Sequence, residues 1–265
     1  MTLVSIGDAE LYTEIHGEGE DLLLVAGLGG MATFWHKQVE FLAQHYRVIL
    51  HDHRGVGRST DAPVVSAASE MAEDLVRLMD AMNIESAHIV GHSTGGAIGQ
   101  NIAVHHPERV RSLVLSASWA GPTPLFVDTF RVRRDILINC GVKHYMMVGS
   151  LLASPAWTLT DSYQGMEHYL ADRIKHFAGL ETELARLNAV MTHDLRHRVK
   201  EITAPTGVIS AKDDSLTPPS MSDELADRIP GAVRVRLEEG GHFCPVTTSE
   251  HYNQQLLDLL KTINR

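Results

Sequence analysis

Short β-rich runs that alternate with segments of helical period are the feature that most restricts how this chain can fold. The runs "DLLLVAGLGG" (Asp21–Gly30), "YRVILHDHRG" (Tyr46–Gly55), "SAHIVGHS" (Ser86–Ser93), "RSLVLSAS" (Arg111–Ser118), "TGVISAKDD" (Thr206–Asp214) and "VRVRLEEGGH" (Val233–His242) each end in turn residues. Between and after them, "SEMAEDLVRLMDAM", "TGGAIGQNIAVHH" and "SEHYNQQLLDLLKTI" carry apolar residues at helical spacing. This pattern predicts an α/β fold with a mainly parallel sheet covered by helices on both faces. The alternating stretch "AELYTEIHGEG" (Ala9–Gly19) predicts an edge hairpin. From about Gly121 to Arg198 no convincing strand occurs, only helical patterns around "LFVDTFRVRRDILI", "MEHYLADRIKHFAG" and "ETELARLNAVM". The expected organisation is a core of residues 1–120 and 199–265 with a helical lid, residues 121–198, inserted between two sheet strands. The chain shows no internal repeat, low-complexity tract or interdomain linker.

With 265 residues the chain can bury a sizeable core. A formal net charge of −10, with no block of lysine and arginine, argues against nucleic acid as a partner. The N-terminus lacks a basic start followed by an apolar stretch, and no apolar run approaches about 18 residues. A cytoplasmic protein without membrane association is therefore expected, with Cys140 and Cys244 as free thiols. The expected partners are a small-molecule substrate and, as an option, a second copy of the chain in a homodimer.

Gly91-His92-Ser93-Thr94-Gly95 fits G-x-S-x-G between a β-rich run and a helical segment, the context that gives this pattern meaning. A serine on a sharp strand-to-helix turn sits in strained backbone, so its neighbours must lack bulk. The turn lifts the hydroxyl above the sheet edge, and the following helix directs its N-terminal amides into the same space. A serine hydroxyl is a poor nucleophile without a base, and the base needs an acid to hold its tautomer. Asp213 and Asp214 fall just past the strand "TGVISA", and His242 falls just past "VRVRL". The strand ends of such a sheet are where ligands bind, and the order Ser, Asp, His is that of the α/β-hydrolases.

These stretches resemble the α/β-hydrolase family over almost the whole chain: "AGLGG" (Ala26–Gly30), "DHRGVGRS" (Asp52–Ser59), "GHSTGG" (Gly91–Gly96), "AKDDSLTP" (Ala211–Pro218) and "GGH" (Gly240–His242). The resemblance implies a Ser93–His242–Asp214 triad, since the family's acid is spaced as Asp214 is. It also implies an oxyanion hole from the backbone N–H groups of Leu28 and Thr94. Where the family often has His-Gly in that loop this chain has Ala26-Gly27, which leaves backbone donors intact. Asp52, Arg54, Gly55 and Gly57 resemble the family's structural turn. "GLGG…FW…Q", "HFAGLETELARLNAV" and "GGHFCPVTTSE" are similar to the aminoacrylate hydrolase and 3-oxoadipate enol-lactonase branch, whose members hydrolyse small polar metabolites without a cofactor. The implied function is a cofactor-independent serine hydrolase for a small acyl, lactone, amide or enamine-acid metabolite. The alternatives are a carbon–carbon bond hydrolase of ring-cleavage products and a small-molecule receptor on the same fold. Branches that use an aspartate nucleophile are disfavoured by Ser93.

Two further features are weighed. "HDLRH" (His193–His197) superficially resembles a zinc helix but has no third ligand at a recognisable spacing, so no metal is expected. "HDH" (His51–His53) and His105-His106 are explained by strand-end and helix-end positions. In "LFVDTFRVRRDILINC", Phe126, Phe130, Leu137 and Cys140 share one helical face with Arg133 near its middle. That arginine either snorkels to water or points into the cleft to bind a substrate carboxylate. Arg133 and Trp119 are the expected substrate-binding residues.

Overall fold

The computed structural model describes residues 2–60, 62–159, 170–171 and 173–264. Its strands are β1 (Thr2–Ser5), β2 (Glu10–His16), β3 (Asp21–Val25), β4 (Arg47–His51), β5 (Ala87–His92), β6 (Val110–Ser116), β7 (Thr206–Ala211) and β8 (Val233–Leu237). They form one sheet in the order β1-β2-β4-β3-β5-β6-β7-β8. Pairing is antiparallel from β1 to β2 and from β2 to β4, and parallel from β4 onward. The expected edge hairpin exists, but Glu10–His16 is its second strand: it pairs with β1 and then with β4 rather than with the strand that follows it.

Alternating residues of the central strands feed two cores, as a pleated strand buried on both faces requires. Leu23, Val25, Ile89, Leu113 and Val208 pack against helices α2 (Ala68–Ala81) and α3 (Thr94–His105), through residues such as Leu75, Met79, Ile98 and Ile102. Leu22, Leu24, Val90, Val114 and Ile209 face the other way, against α1 (His36–Leu42) and the C-terminal helix. A third apolar cluster joins Trp119, Phe126, Phe130, Tyr145, Leu187 and Leu216 above the sheet edge.

Between β6 and β7 the described residues contain no strand, only α4 (Pro124–Cys140), α5 (Val142–Ala153), a short helical turn and α6 (Leu180–Thr192). Gly141, at φ +82°, separates α4 from α5. The helical pattern read over 166–179 lies partly outside the described residues, at 166–169 and 172. Phe126, Phe130, Arg133 and Leu137 form the buried face of α4 as the spacing requires, but Cys140 is exposed because the helix ends there. Both cysteines are free. After β7, α7 (Pro219–Arg228) precedes β8, and α8 (Ser249–Ile263) closes the chain. No described helix is long and apolar enough to cross a membrane.

The tightest point of the fold is the junction of β5 and α3. Ser93 has φ 54° and ψ −117°, a conformation that costs a non-glycine residue about 1–3 kcal/mol. A Cβ on Gly91 would strike the carbonyl of Gly95, and one on Gly95 would strike the carbonyl oxygen of Val25 in β3. Neither obstacle can move without shifting the sheet. Gly95→Ala is therefore expected to lower the unfolding free energy by about 3 kcal/mol, read by chemical denaturation.

Candidate active site

The loops that follow β3, β5, β7 and β8 converge on a cavity of about 490 Å³, lined among others by Leu28, Ser93, Thr94, Arg133, Tyr145, Glu183 and His242. Each strand delivers one chemical group to its C-terminal edge, so the parallel register alone brings Ser93, Asp214 and His242 together. Ser93 is held from both sides: its N–H donates to the Ser116 carbonyl at 2.8 Å, and its carbonyl accepts from Gly96 N–H at 2.9 Å. The Ser118 hydroxyl donates to the same carbonyl at 2.9 Å.

Asp214 Oδ2 lies 2.9 Å from His242 Nδ1, and both side chains are buried. The backbone N–H groups of Leu216 and Thr217 each donate to Asp214 Oδ1 at 2.9 Å and fix the carboxylate's plane. Thr217 Oγ1 sits 2.7 Å from Asp214 Oδ2 and 3.0 Å from His242 Nδ1, a contact the sequence reading did not include. Asp213 does something different. Its carboxylate accepts from Gly240 N–H at 3.2 Å and Gly241 N–H at 2.8 Å, bracing the turn that presents His242. Among the described residues Ser93 Oγ and His242 Nε2 share no hydrogen bond; both face the cavity, and such contacts commonly tighten only with substrate bound.

Leu28 N–H and Thr94 N–H have no acceptor among the described residues. The loop that carries Leu28 lies close against the nucleophile turn, since a Cβ on Gly27 would come 3.2 Å from Ser93 Cβ. Asp52 anchors the far side of this loop, accepting from Ala32 N–H at 2.7 Å and Arg58 N–H at 2.9 Å. Arg54 is buried in ion pairs with Asp8 and Asp74, at 2.8 and 2.6 Å, remote from the cavity wall. The turn Asp52–Gly57 is scaffold.

Arg133 is buried and lines the cavity, with its guanidinium 5.0 Å from the Phe130 ring and 4.9 Å from the Tyr145 ring. No described carboxylate pairs with it, and its Nε is buried without a partner. It does not snorkel. Gly149 makes room for it, since a Cβ there would lie 2.8 Å from Arg133 Nη2. Trp119 is not part of the cavity wall: it is fully buried, packed on Phe126 at 4.9 Å and edge-on to His193. Its place beneath α4 makes it a packing residue rather than a substrate contact. Glu183, which accepts from the Tyr145 hydroxyl, and Arg186 are both buried on α6 and were missed. The signal that exposed Arg133 was present there too: Glu183, Arg186, Leu187 and Val190 fall at helical spacing on one face.

The N-terminal and central part of the chain, residues 22–137, matches the family model described as alpha/beta hydrolase fold. A RutD protein of Azorhizobium caulinodans, provisionally named a carbamate hydrolase, is 39% identical over 259 residues, covering 98% of each chain. The chain belongs to the α/β-hydrolase family. It is a hydrolase. A solved enol-lactonase from Burkholderia xenovorans LB400 superposes with a TM-score of 0.83 at 26% identity, covering 96% of this chain and 97% of that one. A hydrolase from Pseudomonas aeruginosa PA01 gives a TM-score of 0.85 at 27% identity, covering 95% and 94%.

The remaining histidines near the site are held neutral. His193 contacts Gln100 Oε1 at 3.3 Å and does not pair with His197; no described group of three or more His, Cys, Asp or Glu residues is arranged to hold a metal. Burial pushes His51 and His193 down to about 4 and holds His53 and His92 well below the usual imidazole range. Between pH 6.5 and 4 the unfolded chain therefore binds protons at His51 and His193 that the folded chain refuses. Their contribution is intact above the unfolded value and is lost as pH falls below it, by about 2 kcal/mol per histidine at pH 5. Urea unfolding at pH 7 and pH 5 is expected to show this loss, reduced by about 2 kcal/mol in His193→Gln, which keeps a polar contact but cannot titrate.

Proposed function

We propose that the protein is a cofactor-independent serine hydrolase for a small acyl compound that carries a carboxylate, cleaved at an ester, lactone or carbon–nitrogen bond. The observation that carries this reading is the buried Arg133 guanidinium, without a carboxylate partner among the described residues, in the same cavity as Ser93 and His242. A charge left in that state is costly unless a ligand completes it, and a guanidinium fork matches a carboxylate. The carbamate chemistry in the name of the Azorhizobium relative and the lactone chemistry of the Burkholderia structure are both acyl transfer to water, which favours the same reaction type.

In this mechanism His242 Nε2 takes the Ser93 proton as Oγ attacks the carbonyl carbon. The oxygen that becomes negative is received by the N–H groups of Leu28 and Thr94, which have no other acceptor among the described residues to give up. Asp214 accepts from His242 Nδ1–H and stabilises the imidazolium, while Thr217 limits how far the ring can turn. His242 then passes its proton to the leaving group, which departs to leave an acyl-enzyme. Water, deprotonated by His242, attacks that acyl carbon and regenerates Ser93.

Three expectations test the reading. A fluorophosphonate probe should add one adduct per chain, and Ser93→Ala should abolish it in a protein that still folds; adducts that persist would remove Ser93 from the role. Asp214→Asn should lower turnover by on the order of 10⁴, whereas Asp213→Asn, which loses only part of a brace behind His242, should cost less than about tenfold; the reverse order would assign the acid to Asp213. Mono-p-nitrophenyl succinate and its methyl ester share one scissile bond and differ by one charge. Arg133→Gln should depress kcat/KM for the acid by about 10- to 100-fold and leave the methyl ester nearly unchanged; an equal effect on both would take the carboxylate away from Arg133.

A further inference from the structure

Arg186 stands out because it is a charged side chain that is almost wholly buried and whose hydrogen-bond partners include no carboxylate among the described residues. From α6 its Nε donates to the Leu28 carbonyl at 2.9 Å, and its Nη2 donates to the same oxygen at 2.6 Å and to the Gly27 carbonyl at 3.4 Å. The third contact of Nη2 is His53 Nδ1 at 3.1 Å, a nitrogen free to accept because burial and Arg186 itself keep that imidazole neutral. The loop wraps closely around the guanidinium. Gly30 has φ +66°, and a Cβ on it would lie 2.6 Å from Arg186 Nη2.

The consequence follows from peptide geometry. The Gly27 carbonyl points toward Arg186 and also accepts from Gly30 N–H at 2.9 Å. A trans peptide is planar, so the Leu28 N–H of the same unit points the opposite way, away from the guanidinium. We propose that Arg186 is a positioning residue for the oxyanion hole: a lid helix grips the two carbonyls that set the orientation of the Leu28 N–H donor. The proposal rests on the serine-hydrolase reading above. It makes the rate of acyl transfer depend on how α6 is seated, although Arg186 never touches the reacting atoms. Glu183, one helical turn away, lines the cavity from the same helix, so a substrate that presses on that wall acts on the element that holds the donor loop.

The test uses p-nitrophenyl acetate turnover, Ser93 phosphonylation by a fluorophosphonate, and inhibition by phenylboronic acid, whose tetrahedral adduct places an oxygen on the same donors. Arg186→Ala is expected to lower kcat by about 10- to 100-fold, with KM within about threefold of the parent. The phosphonylation rate and the phenylboronate affinity should fall in parallel. Guanidinium chloride at millimolar concentration, filling the vacated site, should restore part of kcat in the variant and none in the parent. Arg186→Lys, which keeps the charge but cannot fork onto two carbonyls, should lie between the two and carries the same reading if the alanine variant does not fold. Folded variants with parental kcat and phenylboronate affinity, or a loss confined to KM, would overturn the assignment. Ser93→Ala is measured beside them: full turnover in that variant would overturn the serine-hydrolase reading, whereas Ser93-dependent turnover indifferent to Arg186 would overturn the positioning role alone.

Discussion

The contact between the first turn of α3 and the end of β3, possible only because Gly95 has no side chain, is the constraint on which the rest of the site depends. With Gly95 against the Val25 carbonyl, the nucleophile turn and the donor loop become neighbours by construction. That approach forces Ser93 into positive φ, and the cost is absorbed by a sheet whose central strands are buried on both faces. Strain of this kind persists only where the surroundings over-determine it. Here the bonds to Ser116, Gly96 and Ser118 leave the serine backbone no alternative conformation.

Everything that follows from strand order was legible in the sequence, because period-2 apolar runs with turn residues at their ends carry that information locally. The positions of Ser93, Asp214 and His242 past three parallel strands are of this kind, and so is the insertion between β6 and β7. The separation of Asp214 from Asp213 was reached by resemblance, and the structure supplies its physical reason: adjacent residues of a tight turn point to different sides, one toward His242 and one toward the Gly240 and Gly241 amides. What stayed illegible was tertiary. The pairing of Glu10–His16 with β4 rather than β3 depends on a sheet-level crossing, and Thr217 enters the site only through the turn that follows Asp214. Trp119 was misread because an aromatic residue just past a strand end fits a cavity wall and a lid joint equally well; only the packing of Phe126 decides.

The lid carries its polar residues where a helix would ordinarily place leucine. Arg133 on α4 and Glu183 and Arg186 on α6 all lie on buried faces, and each such placement costs stability unless the charge is met by well-directed partners. Arg186 is met by two carbonyls and a neutral imidazole, so its cost is offset within the folded chain, and the position is structural in the strict sense that removing it orphans those acceptors.

Arg133 is the opposite case. Its neighbours are ring faces, which attract a cation but satisfy none of its N–H donors, and Gly149 keeps the space beside it open. A guanidinium maintained in that condition stores binding energy for an anion that the chain does not contain. The two arginines therefore divide the lid's work: one is spent inside the protein on the shape of the donor loop, the other is held for the ligand. Because both reach the cavity region from helices packed on each other through the same apolar cluster, a ligand that neutralises Arg133 also tightens the packing around α6. Substrate binding and the geometry of the oxyanion donors are thereby coupled through one small body of side chains rather than through the sheet, which is too closely packed to adjust.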